Sequence, residues 1–540
     1  ATGPGTFCLD SFRVYRKGVP YLDLLPRDYQ ALEESGMAAL RTHAFIKTKI
    51  DTYDMVQFTN ADGQMTECGG NTLPQSLSIM RKAGVLPWLQ IEWHMSEAEW
   101  LGLVEYLAAP YDPAVDTPDS KPWAHKRYSQ GQERPWAEEF DRIILELGNE
   151  TWNWAFKPFV FRSAVDNATG GNIPRGEVYG LWQEYVHGIL KSSPYWKSAG
   201  FGEKLAMVAC GQVRNAYGHQ AMTVSPHTDY YTENAYMGGW DKGEGPPKAD
   251  PFSFFSVLSQ VNQASVDEIT RAWNFRQKFL KDTDRALYPF GVYEGGPGYA
   301  HPKLPRGQGM TAEDIENQER TMKSQAGGTA TLDNFLMRAY YDYDIQNFFT
   351  FNRNRYRWTS HAKVQNGGQA YPPWMGLTMF NKYGTGDMLA VETRQAPTVD
   401  LPKWRRRAGM DDAPLVGCYA TRKGDRLTLF VLSRKFPGYP VADDEGYTAC
   451  TVELPFTECK SATLYRMAGD PTAHNLDAKD VEFERVELAA GAVKQRFVVD
   501  QTTGADRRGL PPASTLIYVF QGTNTPEGQN VTPELPATQQ

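Results

Sequence analysis

Arg142-Ile-Ile-Leu-Glu-Leu-Gly-Asn-Glu-Thr-Trp-Asn153 decides how the rest of the chain is read. Its short apolar run predicts a β-strand, and Gly148-Asn149 breaks it abruptly. A carboxylic acid, Glu150, follows at once, with Trp152 and Trp154 behind it. A second run, Ala286-Leu-Tyr-Pro-Phe-Gly-Val-Tyr-Glu-Gly-Gly-Pro297, reaches Glu294 in the same way. The two acids stand 144 positions apart. A barrel of parallel strands brings such distant strand ends to one rim.

Working outward, strand-like and helix-like runs alternate from about residue 30 to 385. Residues 73–83 have helical spacing with a closing Gly84, and 85–91 read as the next strand. Ser96-Glu-Ala-Glu99 is a capping-box pattern that opens a helix through Trp100, Leu103, Val104 and Leu107. Strands are expected at 143–147, at 205–210, before His227-Thr-Asp-Tyr-Tyr231, up to Glu294 and at 347–352. Helices are expected at 179–190, 266–280 (Ile269, Ala272, Trp273 and Phe279 inward) and 334–345. Residues 39–45 and 54–58 are candidates for the first two strands. Alternation of this kind makes a parallel sheet, and eight units close a (β/α)8 TIM barrel over residues 30–387. From 388 to 522 short alternating runs (425–433, 447–454, 461–466, 514–520) predict an antiparallel β-sandwich. Residues 1–29, through the run 6–15, are a candidate further strand of that sandwich. The Thr-, Pro-, Asn- and Gln-rich stretch 523–540 is expected to be a disordered tail.

Composition narrows the function. The 540 residues exceed one ordinary domain, and 41% hydrophobic against 22% charged residues suit a globular chain with a large core. A net charge of −8 argues against a polyanion-binding face, so no nucleic acid is expected. No apolar run approaches the roughly 20 residues of a membrane span. The start, Ala1-Thr-Gly-Pro-Gly5, is compatible with a removed signal peptide, and a secreted or periplasmic location is the expectation. The six cysteines form no CxxC pair, so a zinc site of the usual spacing is absent. Cys450 and Cys459 either close a short loop in an oxidising compartment or stay free. Gly238-Gly239 and Gly295-Gly-Pro-Gly298 match neither a P-loop nor a dinucleotide fingerprint. His301 and His361 lack metal-like spacing. No cofactor and no metal are expected in catalysis.

Paired acids beside abundant aromatics (14 Trp and 28 Tyr) suit a carbohydrate substrate. One carboxyl protonates a leaving oxygen while the other attacks the anomeric carbon. Asn149 is placed to hydrogen-bond a sugar 2-hydroxyl, against the plainer reading of a strand-end cap. His227 with Tyr230 or Tyr231 would contact and hold the attacking acid, against a satisfied core histidine. Trp358 is a candidate stacking floor, with Trp152, Trp93 and Trp374 weaker ones, against packing alone. Period-two counting sets Ile144, Glu146, Gly148 and Glu150 on one face. Glu146 then points inward and needs a buried partner, for which Arg41 is the candidate.

The stretch Glu146-Leu-Gly-Asn-Glu150 resembles the Gly-Asn-Glu acid/base motif of the clan A retaining glycoside hydrolases, and Val292-Tyr-Glu-Gly-Gly296 resembles their nucleophile strand. Within the clan the look is closest to the α-L-arabinofuranosidase family 51 and the β-xylosidase family 39. Residues 83–90 with 96–107, His227-Thr-Asp-Tyr-Tyr231, and Leu510-Pro-Pro-Ala-Ser-Thr-Leu-Ile-Tyr-Val519 are similar to segments of those families. The resemblance implies Glu150 as acid/base and Glu294 as nucleophile, ending the fourth and seventh barrel strands. Two departures reshape the pocket: Gly-Gly-Pro after Glu294 in place of Trp-Asn, and Glu92-Trp93-His94 in place of a small polar loop. The competing readings are a non-catalytic carbohydrate-binding protein on the same barrel and a transglycosylase.

Overall fold

The computed structural model describes residues 23–42, 54–61, 71–238, 248–281, 283, 285–299, 309–354, 357–403, 409–489, 495–500 and 509–524. Seven strands alternate with helices: β1 (Ala39–Arg41), β2 (Leu86–Ile91), β3 (Ile143–Leu147), β4 (Leu205–Cys210), β5 (Tyr230–Met237), β6 (Phe290–Pro297) and β7 (Tyr343–Phe348). They lie in one sheet in chain order, and the recorded pairings β1–β2 and β4 through β7 are parallel. This is (β/α)-barrel topology, with seven strands among the described residues. The chain divides into two compact units, residues 1–145 with 189–205 and residues 146–188 with 206–540.

In the first unit, end signals set the helices. Thr72 and Gln75 form a capping box on Leu73–Ala83, and Gly84 closes that helix at φ 67°. Ser96 and Glu99 form a second box on Glu97–Ala108, whose Trp100, Leu103 and Leu107 are buried. Asp54-Met-Val-Gln-Phe58, expected as a strand, is instead a helical turn, Met55–Phe58. Asp54 caps it by accepting from the Gln57 amide at 2.8 Å. Residues 43–45 of the other early candidate lie outside the described residues.

Several expectations shift in the second unit. The helix Tyr217–Val224 fills the place of the strand expected before His227, and β5 begins only at Tyr230. Glu294 lies inside β6, which runs on to Pro297. The helix Gln325–Tyr340 stops before Asp342, which sits at φ 76°, and β7 starts at Tyr343, four residues earlier than read from the sequence. On Val266–Leu280, Ile269 and Ala272 are buried as expected, Trp273 and Phe279 are half-buried with Trp273 edge-on to Phe290 of β6, and Arg276 and Leu280 are buried beside them.

The later strands are β8 (Asp387–Leu389), β9 (Thr398–Leu401), β10 (Met410–Pro414), β11 (Val416–Lys423), β12 (Arg426–Ser433), β13 (Thr451–Glu453), β14 (Ser461–Met467), β15 (Glu484–Leu488), β16 (Arg496–Val498) and β17 (Thr515–Gln521). Six form an antiparallel sheet in the order β8-β11-β12-β17-β14-β15, while β13–β16 and β9–β10 form small ladders. Period two splits the large sheet's side chains into two cores. Leu427, Leu429 and Val431 meet Leu454, Phe456 and Phe497 on one face. Phe430, Leu432 and Ile517 meet Leu332, Leu336 and Met379, from the helices Gln325–Tyr340 and Pro372–Tyr383, on the other. Burial on both faces explains why the β12 run is continuously apolar.

A buried ion pair fastens this sheet to the helix Gln325–Tyr340. Arg434 donates to Asp333 through Nε at 2.6 Å and Nη2 at 3.0 Å, and to Asn262 at 2.7 Å. Tyr419 donates to Asp333 at 2.6 Å, and burial beside that carboxylate holds its hydroxyl well above the usual phenol range. Cys418, Cys450 and Cys459 are free thiols, so the 450–459 loop is not closed. Cys8, Cys68, the candidate strand 6–15 and residues 525–540 lie outside the described residues.

Candidate active site

Every residue of β3 is buried, and the chain turns sharply beyond it. Gly148 sits at φ 77° and Glu150 at φ 43°. A left-handed glutamate costs on the order of 1–3 kcal/mol, and such strain collects at functional sites. The turn is pinned locally: the Asn153 amide donates to the Glu150 carbonyl at 2.6 Å, and Tyr217 donates to Thr151 Oγ1 at 3.0 Å. The Glu150 side chain is nearly enclosed. Asn153 Nδ2 donates to its Oε2 at 2.5 Å and the Tyr293 hydroxyl to its Oε1 at 3.1 Å.

Glu294 is buried on β6, and the register around it explains how Tyr293 reaches Glu150. Glu233 of β5 pairs with Val292, but the next residue, Asn234, pairs with Glu294. Tyr293 is therefore an extra residue, a bulge that re-aims side chains from the simple alternation. The following glycines are required by packing. A Cβ on Gly295 would lie 3.0 Å from Val292 Cγ1, and Gly296, at φ 114°, would meet the Phe348 ring at 2.9 Å. Gly-Gly after the acid is thus a close approach of neighbouring strands. Beneath it, Glu233 accepts from Arg338 at 2.7 Å, Tyr343 at 2.6 Å and Tyr231 at 3.0 Å, a buried network joining β5 and β7 to the helix Gln325–Tyr340.

The other sequence candidates fall in different places. Asn149 and Trp152 are buried in the Glu150 turn. Trp154, two residues on, is 49% exposed, with Lys157 and Arg162 over its ring at 5.4 and 5.5 Å. Trp358, at φ 64°, is partly buried edge-on to Tyr299 and packs on the cluster that contains Met237 at the end of β5. His227, Tyr230 and Tyr231 require correction. Because β5 starts at Tyr230, they lie at its amino end, whereas Asn234, three residues further along, is the partner of Glu294. His227 bonds Glu184, and Tyr231 is a core residue stacked on His219 at 3.8 Å. In the first unit, Arg41 is a half-buried residue of β1 and Trp93 a half-buried residue of the turn after β2. Glu146 is fully buried, as its inward face requires.

Sequence reasoning missed Tyr293, Asn153 and Asn234. Alternation sends Tyr293 away from Glu294, and only the bulge overrides it. Trp152 Nε1 and Asn234 Oδ1 are buried polar atoms without a hydrogen-bond partner among the described residues, the condition expected where a polar ligand docks. Among the described residues, no group of potential metal ligands includes Glu150 or Glu294.

No family model matches the sequence, and no curated protein matches it. Solved structures do. An α-L-arabinofuranosidase from Thermotoga maritima, in an arabinose complex, aligns at TM-score 0.63 and 13% identity, over 94% of this chain and 92% of that one. A family 51 (GH51) arabinofuranosidase from Xanthomonas axonopodis pv. citri gives 0.62 and 13%, with the same coverage. A family 51 α-L-arabinofuranosidase from Bifidobacterium longum gives 0.62 and 14%, again over 94% and 92%. At such identities the likeness concerns the backbone, and the chain has the fold of these arabinofuranosidases: a (β/α)8 barrel followed by an antiparallel β-sandwich.

Proposed function

We propose that this chain is a retaining glycoside hydrolase that cleaves O-glycosidic bonds of a polysaccharide or its oligosaccharides. The observation that carries the reading is the Tyr293–Glu150 hydrogen bond, which ties the neighbour of one acid to the other across 143 positions. In the first step the Glu294 carboxylate attacks the anomeric carbon while the Glu150 carboxyl protonates the departing oxygen, leaving a glycosyl ester on Glu294. In the second, Glu150 takes a proton from water, which attacks the same carbon and frees Glu294. Asn153 and Tyr293 hold the Glu150 carboxyl in one orientation through both steps. Asn149 serves the 2-hydroxyl, and the exposed Trp154 face suits an apolar sugar face. The solved relatives are named for arabinofuranoside cleavage, so aryl α-L-arabinofuranosides are the first substrates to try.

Azide rescue tests the roles. Glu294→Ala should lose turnover on every substrate. Glu150→Ala should still glycosylate from a leaving group that needs no proton, then stall. Azide should restart it and give a glycosyl azide of retained configuration, read by NMR. Interchanged products would reverse the assignment. Glycan binding without turnover of any substrate by the wild type would replace the enzyme with a carbohydrate-binding protein.

A further inference from the structure

At the amino end of β5, remote in register from Glu294, a second group of chemically active side chains converges. Glu184 and His187 stand three residues apart on the helix Arg175–Ser192 and so share a face. His227 comes from the loop leading into β5. One ligand atom from each of the three lies within 4.8 Å of the others. The imidazoles of His187 and His227 are stacked, with ring centroids 4.1 Å apart and planes at 16°.

The group is built before any ion arrives. Glu184 Oε1 accepts from the His227 amide at 2.9 Å and from Ser225 Oγ at 3.0 Å, which fixes the carboxylate and leaves Oε2 facing His227 Nδ1 at 2.8 Å. Arg285 donates to the carbonyls of Ser225 and Thr228 and holds the loop backbone. Its charge also acts on Glu184 and weakens that carboxylate's pull on a cation, so the two imidazoles must supply most of the binding. Two neutral imidazoles and one carboxylate form a mixed nitrogen and oxygen set that suits zinc, with water completing four-coordination. Zinc between Oε2 and a ring nitrogen would set them about 3.3 Å apart. That is a small opening of the present contact.

We propose that Glu184, His187 and His227 bind one zinc ion that clamps the helix Arg175–Ser192 to the loop entering β5. The ion is structural. It lies at the end of β5 away from Asn234 and Glu294, and its binding does not depend on the proposed hydrolysis.

The test uses the full chain without an affinity tag, stripped with a chelator and titrated with zinc by calorimetry. One zinc per chain should bind, and saturating zinc should raise the unfolding midpoint. X-ray absorption should show two imidazoles in the first coordination sphere. His227→Ala, His187→Ala and Glu184→Gln should each weaken binding at least tenfold, while His125→Ala should leave it unchanged. The His227 side chain is 49% exposed, so its removal tests the ligand without emptying the core. Absence of stoichiometric zinc binding, or binding that survives His227→Ala at full strength, overturns the proposal.

Discussion

Glu150 is held in a left-handed turn by contacts within its own segment, yet its carboxyl is oriented by a residue 143 positions away. Tyr293 is therefore a positioning residue, and Tyr293→Phe removes one oxygen without disturbing the ring. Leaving that buried carboxyl oxygen without its donor costs about 1–3 kcal/mol, so kcat should fall roughly five- to a hundredfold. KM should change little, because the substrate's own contacts remain. Trp154→Ala should do the reverse, raising KM with kcat nearly intact, if the exposed ring carries a sugar. Steady-state kinetics on one aryl glycoside separates the two outcomes. A fall in unfolding midpoint with kinetics unchanged would make Tyr293 structural only.

Among elements, the most consequential joint is that between the helix Gln325–Tyr340 and the six-stranded sheet. Apolar contacts fill most of it, but its centre is the Asp333–Arg434 pair with Tyr419 and Asn262. Breaking a buried pair from one side leaves an uncompensated charge, which costs about 3–5 kcal/mol. Asp333→Ala should therefore lower stability by that amount in urea titrations. The double change Asp333→Leu with Arg434→Met should recover most of it, since apolar replacement of a whole buried pair is often neutral. Gly417 belongs to the same joint: a Cβ there would approach Arg434 Nη2 at 3.0 Å and Asp333 Oδ1 at 3.1 Å.

At the scale of the whole molecule, two enclosed histidines set an acid limit on stability. Burial, helped by the charge of Arg276, pushes His219 down to about 3, and burial with Arg353 does the same to His361. Both fold as neutral rings, whereas the unfolded chain binds protons at an ordinary imidazole pKa of about 6.5. Stability is thus full above about pH 6.5 and falls as pH drops from there toward 3. Each residue contributes a slope of up to about 1.4 kcal/mol per pH unit. His219 is hydrogen-bonded through Nδ1 to Tyr288 at 2.9 Å, so His219→Gln keeps a polar partner while removing the titration. Denaturant midpoints measured from pH 4 to 8 should show a shallower acid limb in that variant. An unchanged limb would mean that carboxylates alone set it.

By itself the sequence determined what short-range forces govern: the strand ending in Gly148-Asn149-Glu150, the capping boxes at Thr72 and Ser96, the Gly84 stop, and the change from helix–strand alternation to short antiparallel strands. Periodicity and caps need only neighbours within a turn or two of chain. Tertiary structure decided the rest. Asp54-Met-Val-Gln-Phe58 alternates like a strand, but Glu99, 44 positions on, accepts from the Met55 amide at 3.2 Å and helps hold it as a helical turn. The bulge at Tyr293 comes from the register of β6 against β5, which no count along one strand contains. Asn234, not the start of β5, pairs with Glu294, so His227 lies at the other end of the strand, where loop docking sets it beside Glu184 and His187. Which residues share a site depends on strand register and loop docking, and both are set by packing between segments distant in the chain.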